Sequence, residues 1–408
     1  MLSAKAMSPP PSRRTREIRT VEVVLKTVER CNIACKYCYF FFGQDSSYIR
    51  HPPYISRSTI SEVAAFLKRG VSESHLSGVH IDLHGGEPLM QRQRDFDWMC
   101  SHLRDELGAV TDLRLRIQTN GMLVTKQWID LLAKHHVGVG VSIDGPEEVH
   151  DENRITHAGK GTHAKVLSGI ELLKNATLEG KLPSVSALCV ANPLFDGRAL
   201  FDYFANVLCL KHFNFLLPEG RLHAPAIEYG RFLCELFDAW TERADPSIQV
   251  TLLGSFIRRF SGASSFAFPN GNDPVRHRVF KISSDGRLYP DDVNFDPDWP
   301  LPHVSNTSLS SFLECAYFEE VDNLASHLPE RCSECCWAEI CGGGHPWNRF
   351  DPVTRFSSPS TLCEGLKEFY AHVAAFFLAT GTPIVDILKR LKIESPAENL
   401  ATLNHSIK

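Results

Sequence analysis

The chain has 408 residues, of which 43% are hydrophobic and 22% are charged, a composition typical of a folded globular protein with a large core. Its formal net charge is −5, which gives no basis for nucleic acid or an anionic membrane surface as a partner, so a small-molecule or peptide substrate fits better. No stretch approaches the roughly 20 apolar residues of a membrane span, and no signal peptide is evident. We therefore expect a cytoplasmic protein that binds neither nucleic acid nor membrane.

The first part of the chain alternates apolar strands with amphipathic helices. Residues 1–20 are rich in Pro, Ser and Arg, which predicts a flexible leader. Within residues 21–222, strands are predicted near 21–27, 79–84, 113–118, 137–143, 184–190 and 212–217. Helices are predicted near 57–69, 92–107, 125–135, 161–175 and 197–208. This alternation predicts an α/β fold with a parallel sheet, and six units predict a partial (β/α)6 TIM-like barrel with functional loops after the strand ends.

The second part of the chain has a different pattern. Residues 223–275 are predicted to be a helical linker with a long helix near 225–243. Residues 276–365 are predicted to form a smaller, loop-rich module, with a hairpin at Ser284-Asp285-Gly286 and a cysteine-rich stretch from 332 to 363. Residues 366–408 are predicted to be a C-terminal helix and tail.

Three cysteines lie close together after the first predicted strand. The chain has 13 cysteines, and because they are grouped, they favour metal ligation over disulfides in a reducing cytosol. Cys31, Cys35 and Cys38 form a Cys-x3-Cys-x2-Cys loop at the predicted catalytic rim. Three thiolates can hold a four-iron cluster with one iron left open for a ligand. The alternatives are reduced core cysteines or a zinc loop, for which His51 is the nearest fourth ligand.

With Tyr37 before the last cysteine, this loop resembles the signature of the radical S-adenosylmethionine (radical SAM) superfamily, and the resemblance spans roughly residues 20–220. It implies a 4Fe-4S cluster on the three cysteines, whose open iron binds the amino and carboxylate groups of SAM. In this superfamily, one-electron reduction of SAM gives a 5′-deoxyadenosyl radical that abstracts hydrogen from unactivated carbon. An electron donor such as flavodoxin or ferredoxin is then required.

Motifs at the ends of the second, third and fourth strands resemble the SAM contacts of the superfamily. Each motif alone is more typical of a turn or a strand cap. In Gly85-Gly86-Glu87-Pro88, two glycines permit close backbone approach and Glu87 can accept from an ammonium. The later motifs resemble ribose and carboxylate contacts, with Ser142 and Arg154 as carboxylate partners. The resemblance implies cofactor contacts at Tyr37, Gly85, Gly86, Glu87, Pro88, Gln118, Asn120, Ser142, Asp144 and Arg154.

A second group of cysteines lies near the C-terminus. Its members, Cys332, Cys335, Cys341 and Cys363, occupy a loop-rich segment suited to a closed metal centre. Their spacing alone fits zinc and iron–sulfur equally well, and the first motif favours iron and sulfur. The segment resembles the SPASM extension of peptide-modifying radical SAM enzymes, which in its full form carries seven cysteines and two auxiliary 4Fe-4S clusters.

This sequence departs from the full SPASM form at three positions. Asp291 and His345 stand where the full motif has cysteines, and no cysteine lies within 271–277. The resemblance therefore implies one auxiliary 4Fe-4S cluster, on Cys332, Cys335, Cys341 and Cys363. Cys336 is an alternative to Cys335, although only Cys335 fits the spacing. Asp292 corresponds to an Asp that acts as a base in sulfatase-maturing relatives, so we treat it as a candidate catalytic residue; adjacent acids in a turn are more often solvated.

Several features favour a peptide substrate: the SPASM-like module, the segment from His150 to Arg154 and Leu216-Leu217-Pro218-Glu219. The chain resembles maturases of ribosomally made peptides (RiPPs), especially those that form three-residue cyclophanes. This resemblance implies that a β-hydrogen is abstracted from a precursor peptide and that the carbon radical adds to an aromatic ring. The auxiliary cluster would then accept the released electron.

Two alternatives remain. An anaerobic sulfatase-maturing enzyme, which generates formylglycine from Cys or Ser, would use the same radical chemistry, but the missing cluster ligands count against it. The chain could also be a non-catalytic, metal-binding adaptor that docks a peptide. Retention of the three loop cysteines and of Glu87 counts against the adaptor, because a docking protein has no need for an open iron site.

Overall fold

The computed structural model describes residues 16–43, 46–218, 222–261, 275–291, 300–324, 327–391 and 393. In this part of the chain, the strands belong to one sheet. They are β1 (Arg16–Val28), β2 (Gly78–Gly85), β3 (Asp112–Thr119), β4 (Gly138–Ser142), β5 (Val185–Val190), β6 (His212–Leu216), β7 (Gln249–Val250), β8 (Val275–Ile282) and β9 (Leu288–Tyr289). Their order across the sheet is β7-β6-β5-β4-β3-β2-β1-β8-β9.

The described helices lie between and after the strands along the chain. They are α1 (Tyr39–Phe42), α2 (Arg57–Ser74), α3 (Gln93–Leu107), α4 (Lys126–Lys134), α5 (Glu147–Asn153), α6 (His163–Leu178), α7 (Gly197–Asp202), α8 (Ala226–Arg243), α9 (Thr251–Phe260), α10 (Leu309–Leu313), α11 (Ala316–Asn323), α12 (Ala338–Cys341), α13 (Cys363–Ala379) and α14 (Ile384–Arg390). A π-helical turn, Tyr203–Val207, continues α7. No described helix is long and apolar enough to span a membrane.

The predicted α/β fold with a parallel sheet is confirmed. Strands β1 to β6 pair in parallel in their sequence order. Every end of the six predicted strands lies within one residue of its predicted position, except the start of the first. The C-terminal ends of these strands therefore meet at one rim, where the loops that follow β1 to β4 carry the candidate site residues.

One face of this sheet is apolar and the other is polar. On β1, Val21, Val23 and Leu25 are completely buried and share one core with Phe66 of α2 and Phe96 of α3. Their spacing is the period of two that a strand produces.

The opposite face carries charged groups. The Arg116 guanidinium on β3 forms ion pairs with Glu22 on β1 (2.8 Å) and Asp82 on β2 (2.6 Å). These three residues alternate with the apolar set, so the concave side of the sheet is polar.

The predicted leader is too long at its C-terminal end, because β1 begins at Arg16. Thr20 pairs with Gly78 of β2 and with His277 of β8. Residues 16–20 lie before the apolar run, and a polar stretch of strand has no alternation that a sequence pattern can detect. Residues 1–15 lie outside the described part.

The sheet also crosses the boundary predicted at residue 276. Strand β8 pairs in parallel with β1, and β9 pairs antiparallel with β8. The predicted hairpin is confirmed, with Gly286 at a φ of +89° in its turn. Strand β2 occupies one edge of β1 and β8 occupies the other; the sequence alone does not reveal this pairing.

The predicted linker contains α8, β7 and α9, and α8 lies against α13. The two helices approach closely at two glycines: a Cβ on Gly230 would lie 2.6 Å from the Gly365 carbonyl oxygen, and a Cβ on Gly365 would lie 2.0 Å from that of Ala226. Helix α13 begins with Cys363, so this contact positions one member of the second cysteine group.

Candidate active site

The first cysteine loop, residues 31–38, leaves the rim end of β1. Backbone hydrogen bonds attach it to the end of α5 and the residues beyond: the Ala34 N–H donates to the Ile155 carbonyl (2.7 Å), and the Lys36 N–H donates to the Asn153 carbonyl (3.0 Å). The loop is therefore fixed from both β1 and the segment that contains Arg154.

The structure brings Cys31, Cys35 and Cys38 together. Burial raises the pKa of Cys31 to about 12 and that of Cys35 to about 11, and the neighbouring thiols add to both shifts. Thiols with such pKa values stay protonated at neutral pH unless a metal ion stabilises the thiolates. These pKa values argue against free, reactive thiolates, and it is the grouping of three thiols in one loop that favours a metal centre over reduced core cysteines.

The zinc alternative finds no support in the geometry. The candidate fourth ligand, His51, is engaged through Nδ1 with the Glu29 carboxylate (2.8 Å). Within the described ranges, no three His, Cys, Asp or Glu side chains are arranged to hold a single ion. Zinc draws thiolates to about 2.3 Å from one centre, whereas a four-iron cluster bonds each thiolate to a different iron.

The two glycines after β2 let that strand end pack against the cysteine loop. A Cβ on Gly85 would lie 2.0 Å from the Val28 carbonyl oxygen, and one on Gly86 would lie 2.1 Å from that of Arg30. The sequence pattern predicts that these two glycines let the backbone approach a ligand closely. In the structure, the close approach is to the backbone at the start of the loop, while Pro88 begins the short helix that follows.

Glu87 lies at the centre of this rim and is completely buried. Its carboxylate accepts from the backbone N–H of Asn120 (2.7 Å), the backbone N–H of Leu89 (2.9 Å) and the hydroxyl of Thr119 (2.7 Å). Burial raises its pKa to about 7 in spite of these donors. A nearby cation, such as an ammonium, would stabilise the ionised form.

Asp144, Arg154 and Tyr37 form a second buried group beside the loop. The Asp144 carboxylate accepts from the Arg154 guanidinium (2.9 Å) and from the Tyr37 hydroxyl. The same guanidinium lies 4.0 Å from the Cys35 sulfur. The Asp144 carboxylate thus neutralises part of the positive charge of Arg154. Through these contacts, Asp144 and Arg154 connect the rim end of β4 to the cysteine loop.

The remaining predicted contacts lie along β3 and β4. The Gln118 amide donates to the Ser142 hydroxyl (2.8 Å). The Asn120 amide nitrogen donates to the Asn32 side chain (2.8 Å) and lies 3.8 Å from the Cys31 sulfur. The structure therefore places all the predicted SAM contacts at the rim that holds the three thiols.

Lys26 is a residue of the site that the sequence reading missed. It is completely buried on the polar face of β1, with Nζ 3.4 Å from both the His84 ring and the Tyr39 hydroxyl and 4.8 Å above the Phe40 ring. Its charge also acts on the Cys38 thiol. The available signal was a lysine near the end of the apolar part of β1, directly before the cysteine loop.

The segments that favoured a peptide have more local roles in the structure. His150 is completely buried, and its Nδ1 accepts from the Asp144 backbone N–H (3.2 Å). Leu216 ends β6 and is 36% exposed, whereas Glu219 lies outside the described residues. These positions neither support nor oppose a peptide substrate.

The second cysteine group also comes together. Cys332, Cys335, Cys341 and Cys363 line one pocket, and burial raises the pKa of Cys341 to about 12, with Cys363 and Cys332 adding to the shift. Cys336 is exposed and is absent from the lining. The geometry therefore favours Cys335 over Cys336, and these four thiols fit a closed metal centre.

The positions that depart from the SPASM motif lie outside this pocket. Asp291 is buried and accepts a hydrogen bond from Tyr317. The His345 ring packs against Trp347 at 4.6 Å, and burial lowers the His345 pKa to about 4 although part of its surface remains accessible. Asp292 lies outside the described residues, so its role as a base stays a prediction.

Comparison with known proteins agrees with this geometry. The chain is 26% identical over 407 residues to the serine-type anaerobic sulfatase-maturating enzyme of Bacteroides thetaiotaomicron, with 91% of this chain and 92% of that one covered. It is also 26% identical over 355 residues to the cysteine-type enzyme of Clostridium perfringens, with 84% and 93% covered. These relatives match the sulfatase-maturing alternative better than the cyclophane-forming prediction.

Solved structures share the fold. That of anSMEcpe with bound AdoMet superposes with a TM-score of 0.75 at 22% identity, covering 88% of this chain and 99% of that one. That of Streptococcus suis SuiB bound to its precursor peptide SuiA gives a TM-score of 0.58 at 14% identity, covering 86% and 76%. The sequence profile of the Radical SAM superfamily matches residues 25–191, the stretch that contains the three-cysteine loop and the rim of β2 to β4. The chain therefore carries a radical SAM domain across residues 25–191 and is an enzyme whose cofactors are a 4Fe-4S cluster and SAM.

Proposed function

We propose that this enzyme oxidises a side-chain β-carbon in a polypeptide; its relatives are named serine-type and cysteine-type sulfatase-maturating enzymes, and conversion of either residue to formylglycine oxidises that carbon. The observation that carries the proposal is the presence of two separately assembled cysteine groups in a chain that covers 92% of the length of such a relative. One group lies at the barrel rim, and the other lies in the C-terminal region.

At the rim, Cys31, Cys35 and Cys38 would hold the radical cluster, and Glu87 would accept from the SAM ammonium. The bound cofactor supplies a 5′-deoxyadenosyl radical, which takes one hydrogen atom from the substrate carbon. Gln118, Asn120, Ser142, Asp144 and Arg154, with Tyr37, would orient SAM on the rim. An external donor such as flavodoxin or ferredoxin would supply the electron that starts each turnover.

The substrate must then lose one electron and one proton, which gives an aldehyde from serine and a thioaldehyde from cysteine; water hydrolyses the thioaldehyde to the aldehyde and sulfide is released. For serine, loss of the hydrogen atom, the electron and the proton gives the aldehyde of formylglycine. The pocket of Cys332, Cys335, Cys341 and Cys363 would hold an auxiliary 4Fe-4S cluster as electron acceptor. Asp292 remains the candidate base for the proton.

A second product is favoured by one specific observation. Asp291 is hydrogen-bonded to Tyr317, and His345 packs on Trp347, so two positions that are cysteines in the full SPASM motif have other contacts here. Loss of one auxiliary cluster fits maturases that cross-link an aromatic ring to a β-carbon. In that reaction the β-carbon radical would attack the ring, and the ring would lose the electron and the proton.

Mass spectrometry distinguishes the two products. The reconstituted enzyme is incubated anaerobically with SAM, dithionite and either a sulfatase-derived peptide bearing serine or cysteine or the short peptide encoded beside the gene. Conversion of serine to formylglycine and cross-linking each make the peptide about 2 Da lighter than the substrate. The formylglycine peptide reacts with hydrazide reagents, whereas the cross-linked peptide does not react with them. Cys35→Ala serves as the inactive control. If neither peptide changes although 5′-deoxyadenosine accumulates, oxidation of a peptide β-carbon is wrong.

A further inference from the structure

Arg349 is a buried cation without an acidic partner among the described residues. Its side chain is almost completely buried, and its guanidinium donates only to backbone carbonyls, among them those of Phe356 (2.7 Å) and Leu324 (3.4 Å). A buried charge needs a counter-charge nearby, because transfer from water to the protein interior is costly. Carbonyl oxygens orient the guanidinium but do not neutralise it.

The electrostatic partners of Arg349 are thiols of the second cysteine group, which become negatively charged when they bind a cluster. The charge of Arg349 acts on the Cys332 and Cys341 thiols, which line the pocket described above. Gly343, two residues after Cys341, has a φ of +81°, and a Cβ there would lie 3.0 Å from Arg349 Nη1. A glycine at this position therefore lets the guanidinium lie against the cysteine segment.

Tyr370 of α13 approaches the same pocket from another side. It is completely buried and stacks on Trp337, which also lines the pocket, at a centroid distance of 6.0 Å. Its hydroxyl makes no well-formed hydrogen bond, although it lies close enough to the Cys341 thiol to interact with it. A buried hydroxyl in this position is available to donate to a cluster sulfur.

We propose that Arg349 and Tyr370 raise the reduction potential of the auxiliary cluster and so make it the electron acceptor of the reaction. The inference rests on the proposed function, which places a cluster on the four cysteines. A 4Fe-4S centre with four thiolates carries net negative charge, and reduction adds one electron to it. A buried cation and a hydrogen-bond donor stabilise the reduced form more than the oxidised form, so both raise the potential.

The test isolates the auxiliary cluster in the full chain. The parent is the variant with Cys31→Ala, Cys35→Ala and Cys38→Ala, reconstituted anaerobically with iron and sulfide and titrated with dithionite while EPR follows the reduced cluster. When Tyr370→Phe or Arg349→Gln is added to this parent, we expect the midpoint potential to become more negative. Arg349→Lys keeps the positive charge, so we expect a smaller shift. The control is Lys367→Gln, because Lys367 is also close to Cys363 but is exposed, and water screens its charge.

Each outcome has a distinct meaning. A midpoint potential that stays the same in Tyr370→Phe and Arg349→Gln, at full iron and sulfide content, overturns the tuning role but leaves the proposed function intact. If the parent variant binds no iron, the four cysteines hold no auxiliary cluster, and both the proposed electron acceptor and this inference are wrong. If Arg349→Gln does not fold, Tyr370→Phe decides alone, because it removes only one oxygen atom and preserves the ring packing.

Discussion

The two cysteine groups differ in what surrounds them. The loop at residues 31–38 is bordered by acceptors and donors from three strand ends, among them Glu87 and Asn120, which is suitable for an additional ligand. The pocket at residues 332–363 contains one more thiol and is bordered by aromatic rings and a buried guanidinium. Similar thiol ligands thus have different surroundings: polar groups flank the first group, as we expect for a cluster that also binds SAM, and aromatic rings flank the second group, which we propose holds an electron-accepting cluster.

The largest expected effect separates the two groups by mutation. Cys35→Ala removes one of three ligands at the rim, so we expect 5′-deoxyadenosine formation to fall to background while about four irons per chain remain in the other pocket. Cys341→Ala leaves the rim unchanged, so we expect 5′-deoxyadenosine to form without peptide product. Chromatography of the nucleoside and iron analysis measure both. Nucleoside formation by Cys35→Ala would contradict the assignment of the rim.

Glycine substitutions sharpen the comparison without touching a ligand. Gly86→Ala places a Cβ 2.1 Å from the Arg30 carbonyl oxygen, so we expect this variant to lose iron at the rim. Gly365→Ala places a Cβ 2.0 Å from the Ala226 carbonyl oxygen, so we expect this variant to lose iron at the second cysteine group. Each clash is with backbone and should cost about 1–3 kcal/mol. Gly254→Ala, whose Cβ would meet only a flexible side chain at 3.5 Å, should be neutral or stabilising. Iron analysis and denaturant unfolding check these outcomes, and equal iron in all three variants would contradict them.

A smaller effect is expected at Glu87, which belongs to the rim alone. Glu87→Gln keeps the shape of the side chain but removes the negative charge that would face the SAM ammonium. A charge-assisted hydrogen bond contributes about 1.5–3 kcal/mol, so SAM affinity should fall by about 10- to 100-fold. Equilibrium dialysis with labelled SAM measures this change. Unchanged affinity in the variant would exclude Glu87 as the partner of the ammonium.

The smallest effect concerns the support of the rim by His150. Burial lowers the pKa of His150 to about 4, and the neutral ring accepts from the Asp144 N–H. Below about pH 6.5, His150 takes up a proton in the unfolded chain but stays neutral in the folded chain. The free energy of unfolding therefore decreases as the pH falls from 6.5 towards 4. Between pH 6.5 and 5 the loss should be about 1.6 kcal/mol.

Urea unfolding at the two pH values measures this dependence. His150→Asn keeps an acceptor but does not titrate, so the variant should show a smaller pH dependence than the parent. The control His75→Asn replaces an exposed histidine at a left-handed position that asparagine tolerates, and it should retain the full dependence. Equal pH dependence in His150→Asn and the parent would rule out this role.

The sequence predicted the order and positions of the barrel strands and the two groups of cysteines that the structure brings together, because strand alternation and cysteine spacing are local patterns. It did not reveal the pairing of β8 with β1, since a parallel partner more than 200 residues away leaves no local signal. It also missed Lys26 and Arg349, whose significance depends on burial among distant groups. Spacing favoured Cys335 over Cys336, and the structure agrees, because only Cys335 lines the pocket.

The central claim is that the radical formed at the first cysteine group attacks a β-carbon of a polypeptide. The most direct test uses a peptide substrate deuterated at the β-carbon of the modified residue and measures the mass of the 5′-deoxyadenosine that is produced. We predict transfer of one deuterium to the nucleoside in step with peptide product. Peptide product formed alongside deuterium-free 5′-deoxyadenosine would contradict the claim.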